Sequence, residues 1–424
     1  MSLWLAKKEQ SSSTATPSAS VRVVIGLDYG TSSTKVALRV DDQPAEVIAL
    51  DDGCSGFEWF ATPSSIRLDQ DAVWLGSASQ TTRGGRLLQN LKVLLLGDGE
   101  HAPQGVAPEE ADFLVAAHLL WCLRGIRARL DKRMGAGRYR PSIHVAAPMT
   151  HVGDPHRTRR YDRILNAAIT VAFSGQLVEA RQPASKAELH RLLAPLLHPD
   201  HTLPEPEARN FRVSPETLAP FISLLRDRMA RNGMYLLVDV GAATTEALLV
   251  RLLEPDASNR RFVCYADATK TIGGNNFQGS NPNAAAKALG LHIQRTLFEA
   301  FNKDRYAATK ERWRDLCLLQ SGGGIMLGGV REVLFQETWR EKAMLNFDAR
   351  LRRTLHSPSA EDLVISQTKP KGQAATRKNF HMLANAHGLS VHWRKWDGWH
   401  APDDVETLPD DREQTQPRHD TEDD

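Results

Sequence analysis

The stretch VVIGLDYGTSSTKVALRV (Val23–Val40) decides how this chain is read. Apolar residues run to Leu27, an acid follows at Asp28, and Gly30 opens a row of hydroxyls from Thr31 to Thr34. A second apolar, partly alternating run then begins. Residues 23–28 and 34–40 carry the valine and isoleucine of strands, and the link between them is short. The expected unit is a strand–turn–strand hairpin, not the strand–loop–helix of a GxxxxGK[ST] phosphate loop, a pattern the chain lacks. Small residues at such a turn let backbone N–H groups point at an anion. Gly30 permits close approach, and Thr31, Ser32 and Ser33 add donors. A carboxylate beside an anion makes sense when a cation such as Mg2+ lies between them, directly or through water. Taken alone, the segment reads equally well as a surface hairpin with a polar turn.

The same pattern returns at Met234–Leu253, MYLLVDVGAATTEALLVRLL. Here Asp239 follows the apolar run, and Gly241, Ala242, Ala243, Thr244 and Thr245 form the turn. A third strand follows each hairpin, AEVIAL after the first and RRFVCYADATK after the second. Two copies of one arrangement point to a duplicated architecture. Facing hairpins could clamp a polyphosphate, with Asp28 and Asp239 sharing one hydrated Mg2+. A glycine turn at Gly322, Gly323 and Gly324 joins a strand ending near Leu319 to a helix expected after Gly329. Bare backbone there would admit a flat ring or a ribose; a flexible loop is the plainer reading.

Composition bounds the rest. The 424 residues are 41% hydrophobic and 25% charged, enough for two or more domains with sizeable cores. Four cysteines without a CxxC pair argue against a disulfide framework or a zinc site and fit a reducing, cytoplasmic setting. No apolar run approaches the roughly 18 residues of a membrane span, so no membrane partner is expected. Residues 1–20 lack the apolar core of a signal peptide and are expected to be a disordered lead. Asp403–Asp424 carries ten acids against two arginines, an acidic and disordered tail behind a basic body.

Three further segments had two readings each. HVGDPH (His151–His156) could supply metal ligands, but Asp154 as a helix cap with Pro155 at the first helical position explains it better. The tryptophans of VHWRKWDGWH (Val391–His400) could stack on single-stranded nucleic acid; packing on this chain or on a partner protein is the favoured reading. The arginines of RTRRYDR are read as a solvated helix face, with a partner-binding patch as the alternative.

The two hairpins and the glycine turn, in this order, resemble the actin-like ATPase superfamily of actin, sugar kinases and DnaK-type chaperones. FATPSSIRLDQDAVWLGSAS, LQNLKVLLLG, VAPEEADFLVAAHLLWCLRGIRARL, IHVAAPMTHVGDPHRTRR, VEARQPASKAEL, TIGGNNFQ and HMLANAHGLS resemble DnaK-type segments from about Val21 to Ser390. The implied fold is α/β, with two lobes, each a mixed sheet flanked by helices, and a nucleotide cleft between them. The implied boundaries are 21–232 for lobe I, with an inserted helical subdomain and the C-terminal helix 380–390, and 233–379 for lobe II. A Trp-rich segment 391–402 and the tail 403–424 would follow.

The resemblance also implies ATP/ADP and Mg2+ as ligands. Thr31, Ser32 and Thr244 would bind phosphate, and Asp28 and Asp239 would hold Mg2+ through water. Lys92 would lie near the γ-phosphate, and Gln182 would orient the attacking water, with Glu179 as its fallback. Gly273, Gly274 and Gly322–Gly324 would approach the nucleoside. Pro148 would be a hinge and Arg157 the nearest arginine to one the family carries.

Departures from the family are specific. Gln182 replaces a glutamate, Ala242 and Ala243 replace glycines, Asn276 and Gln278 replace acids, and Met326 replaces an arginine on the adenine. Only 43 residues separate Gln278 from Gly322, so the nucleotide-capping subdomain is expected to be reduced. Ala184–Asn232 is expected to hold an extra Pro-rich loop and helices. The 34 residues after Ser390 are too few for the family's peptide-binding domain. The implied function is a nucleotide-dependent conformational switch acting on a protein partner or client. A non-hydrolysing scaffold and a filament-forming ATPase are the alternatives, and a nucleic-acid role is the less favoured partner reading.

Overall fold

The structure, a computed structural model, describes residues 20–51, 58–95, 105–147, 154–174, 182–225, 233–253, 261–304, 315–336, 350–355, 363–364, 379–391 and 399–400. The expectations for Pro148, Glu179, the lead and the acidic tail lie outside them, as do Trp393 and Trp396 of the Trp-rich segment.

Two mixed sheets organise the fold. The first holds β1 (Val21–Tyr29), β2 (Ser33–Val40), β3 (Ala45–Ile48), β4 (Tyr139–Ala147) and β5 (Phe211–Pro215). The second holds β6 (Gly233–Val240), β7 (Thr245–Leu253), β8 (Arg261–Lys270), β9 (Asp315–Ser321) and β10 (Arg350–Leu355). Their strand orders are β5-β4-β1-β2-β3 and β10-β9-β6-β7-β8. Directions match as well. The first hairpin and its third strand are antiparallel in each sheet, and the strands on the other side of the hairpin run parallel. The duplication expected from two hairpins therefore extends to five strands per sheet.

Helices fill three layers. The first sheet's outer face packs on α1 (Pro108–Met134) and α2 (Pro155–Phe173), with α3 (Lys186–Leu197) alongside. The short α4 (Leu218–Leu225) and the C-terminal α7 (Ala384–Leu389) lie between the sheets. The outer face of the second sheet packs on α5 (Pro282–Asp304) and α6 (Gly328–Gln336). Local chemistry sets the helix ends. Pro108 opens α1 with Glu109 and Glu110 in its first turn, while Lys132 and Arg133 close it, matching the helix dipole. Asp154 caps α2 by accepting from the N–H groups of His156 (2.9 Å) and Arg157 (3.3 Å), as the capping reading required.

Two glycines let the central layer close. A Cβ on Gly26 would lie 2.1 Å from the Ala386 carbonyl oxygen, and one on Gly388 would lie 1.7 Å from that of Ala219. Strand β1, helix α7 and helix α4 thus meet backbone against backbone, a spacing no side chain permits.

Strand parity then places the acids. In β1, Val23, Ile25, Leu27 and Tyr29 join the outer core, so Val24, Gly26 and Asp28 face inward. In β6, Met234, Leu236, Val238 and Val240 join the other outer core, so Tyr235, Leu237 and Asp239 face inward. Both aspartates sit at the inward ends of matched strands.

Three boundaries differ from expectation. Phe211–Pro215, expected within an extra loop and helices, is strand β5 of the first sheet, parallel to β4. Leu363–Val364, assigned to the second half, pairs with Ala45–Glu46 at the edge of the first sheet. Trp399–His400, at the end of the Trp-rich segment, pairs with Phe262–Val263 at the edge of the second. Between Gln278 and Gly322 the described residues hold helix α5 and strand β9. Among the described residues no helix is long and apolar enough to cross a membrane.

Candidate functional site

The two hairpin turns open onto one cavity of about 680 Å³, within the range of small-molecule sites. Each turn is closed by the same bond. Gly30 donates its N–H to Ser33 O (3.2 Å), and Gly241 donates to Thr244 O (2.9 Å), the equivalent pair one repeat later. Gly30, Thr31 and Ser32 line the cavity from one side, and Gly241, Ala242 and Thr244 from the other. The second turn is braced from behind, where Gly274 N–H donates to Gly241 O and Asn275 N–H to Ala242 O. Gly273 makes this possible, since a Cβ there would lie 2.5 Å from the Ala242 backbone.

Four carboxylates, Asp28, Glu58, Glu216 and Asp239, line the cavity, and Glu58 Oε1 accepts from Asn379 Nδ2 at 2.8 Å. Asp28 stands opposite Lys35 in the hairpin register, and Lys35 Nζ donates to Asp28 Oδ2 at 2.9 Å. The same ammonium lies over the turn, 3.6 Å from where a Gly30 Cβ would be. Asp28 Oδ1 is buried without a hydrogen-bond partner among the described residues. Glu216, just past β5, is ion-paired with Lys92. Burial alone would lower the Lys92 pKa, but the Glu216 carboxylate outweighs it and holds the lysine well above its ordinary value. Asp239 has no such cation on it. Its Oδ2 accepts from Asn385 Nδ2 (3.1 Å), and burial, then Glu216 and Asp28, push its pKa up to about 7. Gly322 is required beside it, because a Cβ there would lie 2.4 Å from Asp239 Oδ1 and the residue has φ of +86°.

Most, but not all, of the expected site residues converge here. Asp28, Gly30, Thr31, Ser32, Asp239, Gly241, Ala242, Thr244, Gly274 and Gly322–Gly324 line the cavity. Ala243 lies within the second turn, and Gly273 packs against the Ala242–Ala243 backbone of that turn. Lys92 is 3% exposed and sits behind Glu216 instead of facing the cavity. Gln182 is elsewhere: its carboxamide accepts from Leu75 N–H and donates to Leu75 O, both at 3.1 Å, like one more residue of a strand. That binding ties it to the small sheet built from Ile66–Asp69, Ala72–Leu75, Arg86–Leu88 and Ala184–Ser185. Met326 is 47% exposed and turned away, and Leu327 and Met382 supply the apolar wall in its stead. Arg157 pairs with Asp154 at the start of α2.

Lys35, Glu216 and Asn385 were not singled out from the sequence. Lys35 was within reach, since a lysine seven residues after Asp28 falls opposite it once the four-residue turn is set. The alternation Phe211-Arg212-Val213 before SPET was the only trace of Glu216. A broad depression of about 720 Å³ beside α3 carries His190, His198 and His201, but His190 stacks on Phe113 and His198 turns to Asp200. Among the described residues no group of three or more His, Cys, Asp or Glu side chains is placed to hold a metal directly. In comparisons with known proteins, no family model matches the chain, and no curated protein matches its sequence.

Proposed function

We propose that the chain is an ATP-binding conformational switch with an actin-like, two-lobed fold of the DnaK-like branch. The observation that carries the reading is the pair of matched turns, Gly30–Ser33 and Gly241–Thr244, lining one cavity with inward-facing Asp28 and Asp239. Backbone N–H groups and hydroxyls of these turns, with the Lys35 ammonium over the first, form an anion cradle suited to a polyphosphate. Bare glycines 322–324 with Leu327 and Met382 suit the nucleoside.

The residues also fit Mg2+. Four carboxylates line the cavity and two of them, Asp28 and Glu216, pair with lysines; Asp28 Oδ1 is buried without a partner among the described residues, and all the donors are hard oxygens. Asp28 and Asp239 would hold the ion through its waters. When bound, it would neutralise charge on the phosphate oxygens. Glu216 takes the water-orienting role first expected of Gln182, because it faces the cavity and its ion pair with Lys92 fixes its orientation. Closure of the halves over the nucleotide would move α7, which touches both sheets, and present a changed surface to a protein partner.

The direct test is fluorescence titration of the full chain with a methylanthraniloyl-ATP in Mg2+. Saturable binding lost in Asp28→Ala and Asp239→Ala is expected; unchanged affinity in both variants refutes the site. A non-hydrolysing scaffold is the second reading, favoured by the Lys35 ion pair on Asp28 and by Lys92 lying behind Glu216. Phosphate release that is absent in wild type, with binding intact, selects it. Release that stops in Glu216→Gln selects hydrolysis.

A further inference from the structure

Helix α7 enters the cleft wall from the far end of the described chain, and every one of its six residues is buried. It is fastened on all sides. His387 Nδ1 meets Ser223 Oγ at 2.6 Å on α4, and His144 Nδ1 donates to Leu389 O at 2.8 Å from β4. Just before the helix, His381 O accepts from Gly322 N–H (3.0 Å) and from Ser321 Oγ (3.3 Å). Asn385 is the residue of α7 that lines the cleft.

The Asn385 carboxamide is half satisfied. Its Nδ2 donates to Asp239 Oδ2, which fixes the amide orientation, because a carboxylate oxygen calls for the NH2 side. Its Oδ1 is buried and has no hydrogen-bond partner among the described residues, in a residue only 5% exposed. Asp28 Oδ1, in a residue 2% exposed, lines the same cleft in the same condition. An unpartnered buried acceptor is costly, and two at one cavity call for a shared donor. Water on a hydrated divalent cation supplies donors on several sides at once. A neutral carbonyl beside two carboxylates suits such an ion and does not suit a phosphate oxygen, which offers only lone pairs.

We propose that Asn385 is a positioning residue for a divalent cation in the cleft: its carbonyl oxygen receives a water of the hydrated ion while its amide holds Asp239 toward the same ion. This role rests on the cleft reading above, and it makes α7 a direct sensor of occupancy. A cation pulls on Asn385, and Asn385 is part of the helix that both sheets grip.

The test uses the full chain and Mn2+ as the probe, titrated by electron paramagnetic resonance without nucleotide, with methylanthraniloyl-ATP binding measured separately in EDTA. Wild type is expected to bind Mn2+ in the cleft. Asn385→Leu, which keeps volume and removes both polar groups, weakens Mn2+ about tenfold or more, as loss of an outer partner does. Asn385→Asp, which keeps an acceptor but deletes the amide that holds Asp239, should bind Mn2+ more tightly than Asn385→Leu; a merely structural role would weaken both alike. Equal Mn2+ affinity in wild type and Asn385→Leu overturns the proposal. An independent measurement needs no variant: the anomalous Mn signal in crystals of the unaltered chain should lie within about 5 Å of Asn385 Oδ1, the span of one bridging water, and a peak elsewhere, or none, overturns it. If the nucleotide fails to bind any chain while Mn2+ follows the stated order, the ATP reading falls and the cation contact stands.

Discussion

Replacing Asp239 by asparagine should stabilise the ligand-free protein while abolishing the Mg-ATP binding proposed above. Asp239 is 5% exposed, and burial together with Glu216 and Asp28 pushes its pKa up to about 7, against about 3.9 in an unfolded chain. The sign follows from proton counts. Below about pH 4 the carboxyl is protonated in both states and contributes nothing. Between about 4 and 7 the native state keeps a proton that the unfolded state has lost, so stability falls as pH rises. Above about 7 the whole penalty stands, roughly three pKa units or about 4 kcal/mol. Asparagine carries no charge and still accepts from Asn385. The variant should therefore match wild type near pH 4 and gain up to about 4 kcal/mol at pH 8. At about 1 °C per kcal/mol for a chain of 424 residues, that is a rise in Tm of about 4–5 °C. Thermal melts of both proteins by circular dichroism, at half-unit steps from pH 4.5 to 8.5 in EDTA, give the difference directly. A difference that does not grow with pH, or a variant less stable at pH 8, would refute the electrostatic reasoning.

Other perturbations have equally definite outcomes. Lys35→Met removes the cation over the first turn and should weaken methylanthraniloyl-ATP at least tenfold in EDTA, the loss of one charge-assisted hydrogen bond. Lys92→Met strands the Glu216 carboxylate in a poorly hydrated site and should cost about 3–5 kcal/mol in urea unfolding, most of it recovered when Glu216 is also changed to methionine. Gly388→Val drives a side chain into the Ala219 carbonyl and should destabilise by about 3 kcal/mol or more, seen as a lower urea midpoint, whereas Ser390→Ala beside it should change the midpoint far less.

What could be read from the sequence was what repeats or alternates. The two hairpins, their third strands and the glycine turn follow from apolar runs interrupted by small residues, and each appears where the runs place it. Parity along β1 and β6 turns both aspartates to the same interior. Strand β5 was hidden because it has five residues, ends in Pro215, and sits in a segment dense with prolines and helix formers. With β5 taken for loop, the carboxylate that follows it went unseen. Asn385 and Lys92 were harder still. Their surroundings come from chain segments more than a hundred residues away, and the contacts exist only after the sheets and α7 are assembled. Trp-rich patterning likewise gave no hint that Trp399–His400 would extend a sheet edge, because a two-residue parallel strand has no period of its own.

The claim on which the account stands is that one polyphosphate lies between the two turns. The crystal structure of the full chain with Mg2+ and a non-hydrolysable ATP analogue tests it in one measurement. Phosphate oxygens within hydrogen-bond reach of both the 30–33 and the 241–244 turns are the expected result. An analogue bound elsewhere, or touching only one turn, contradicts it.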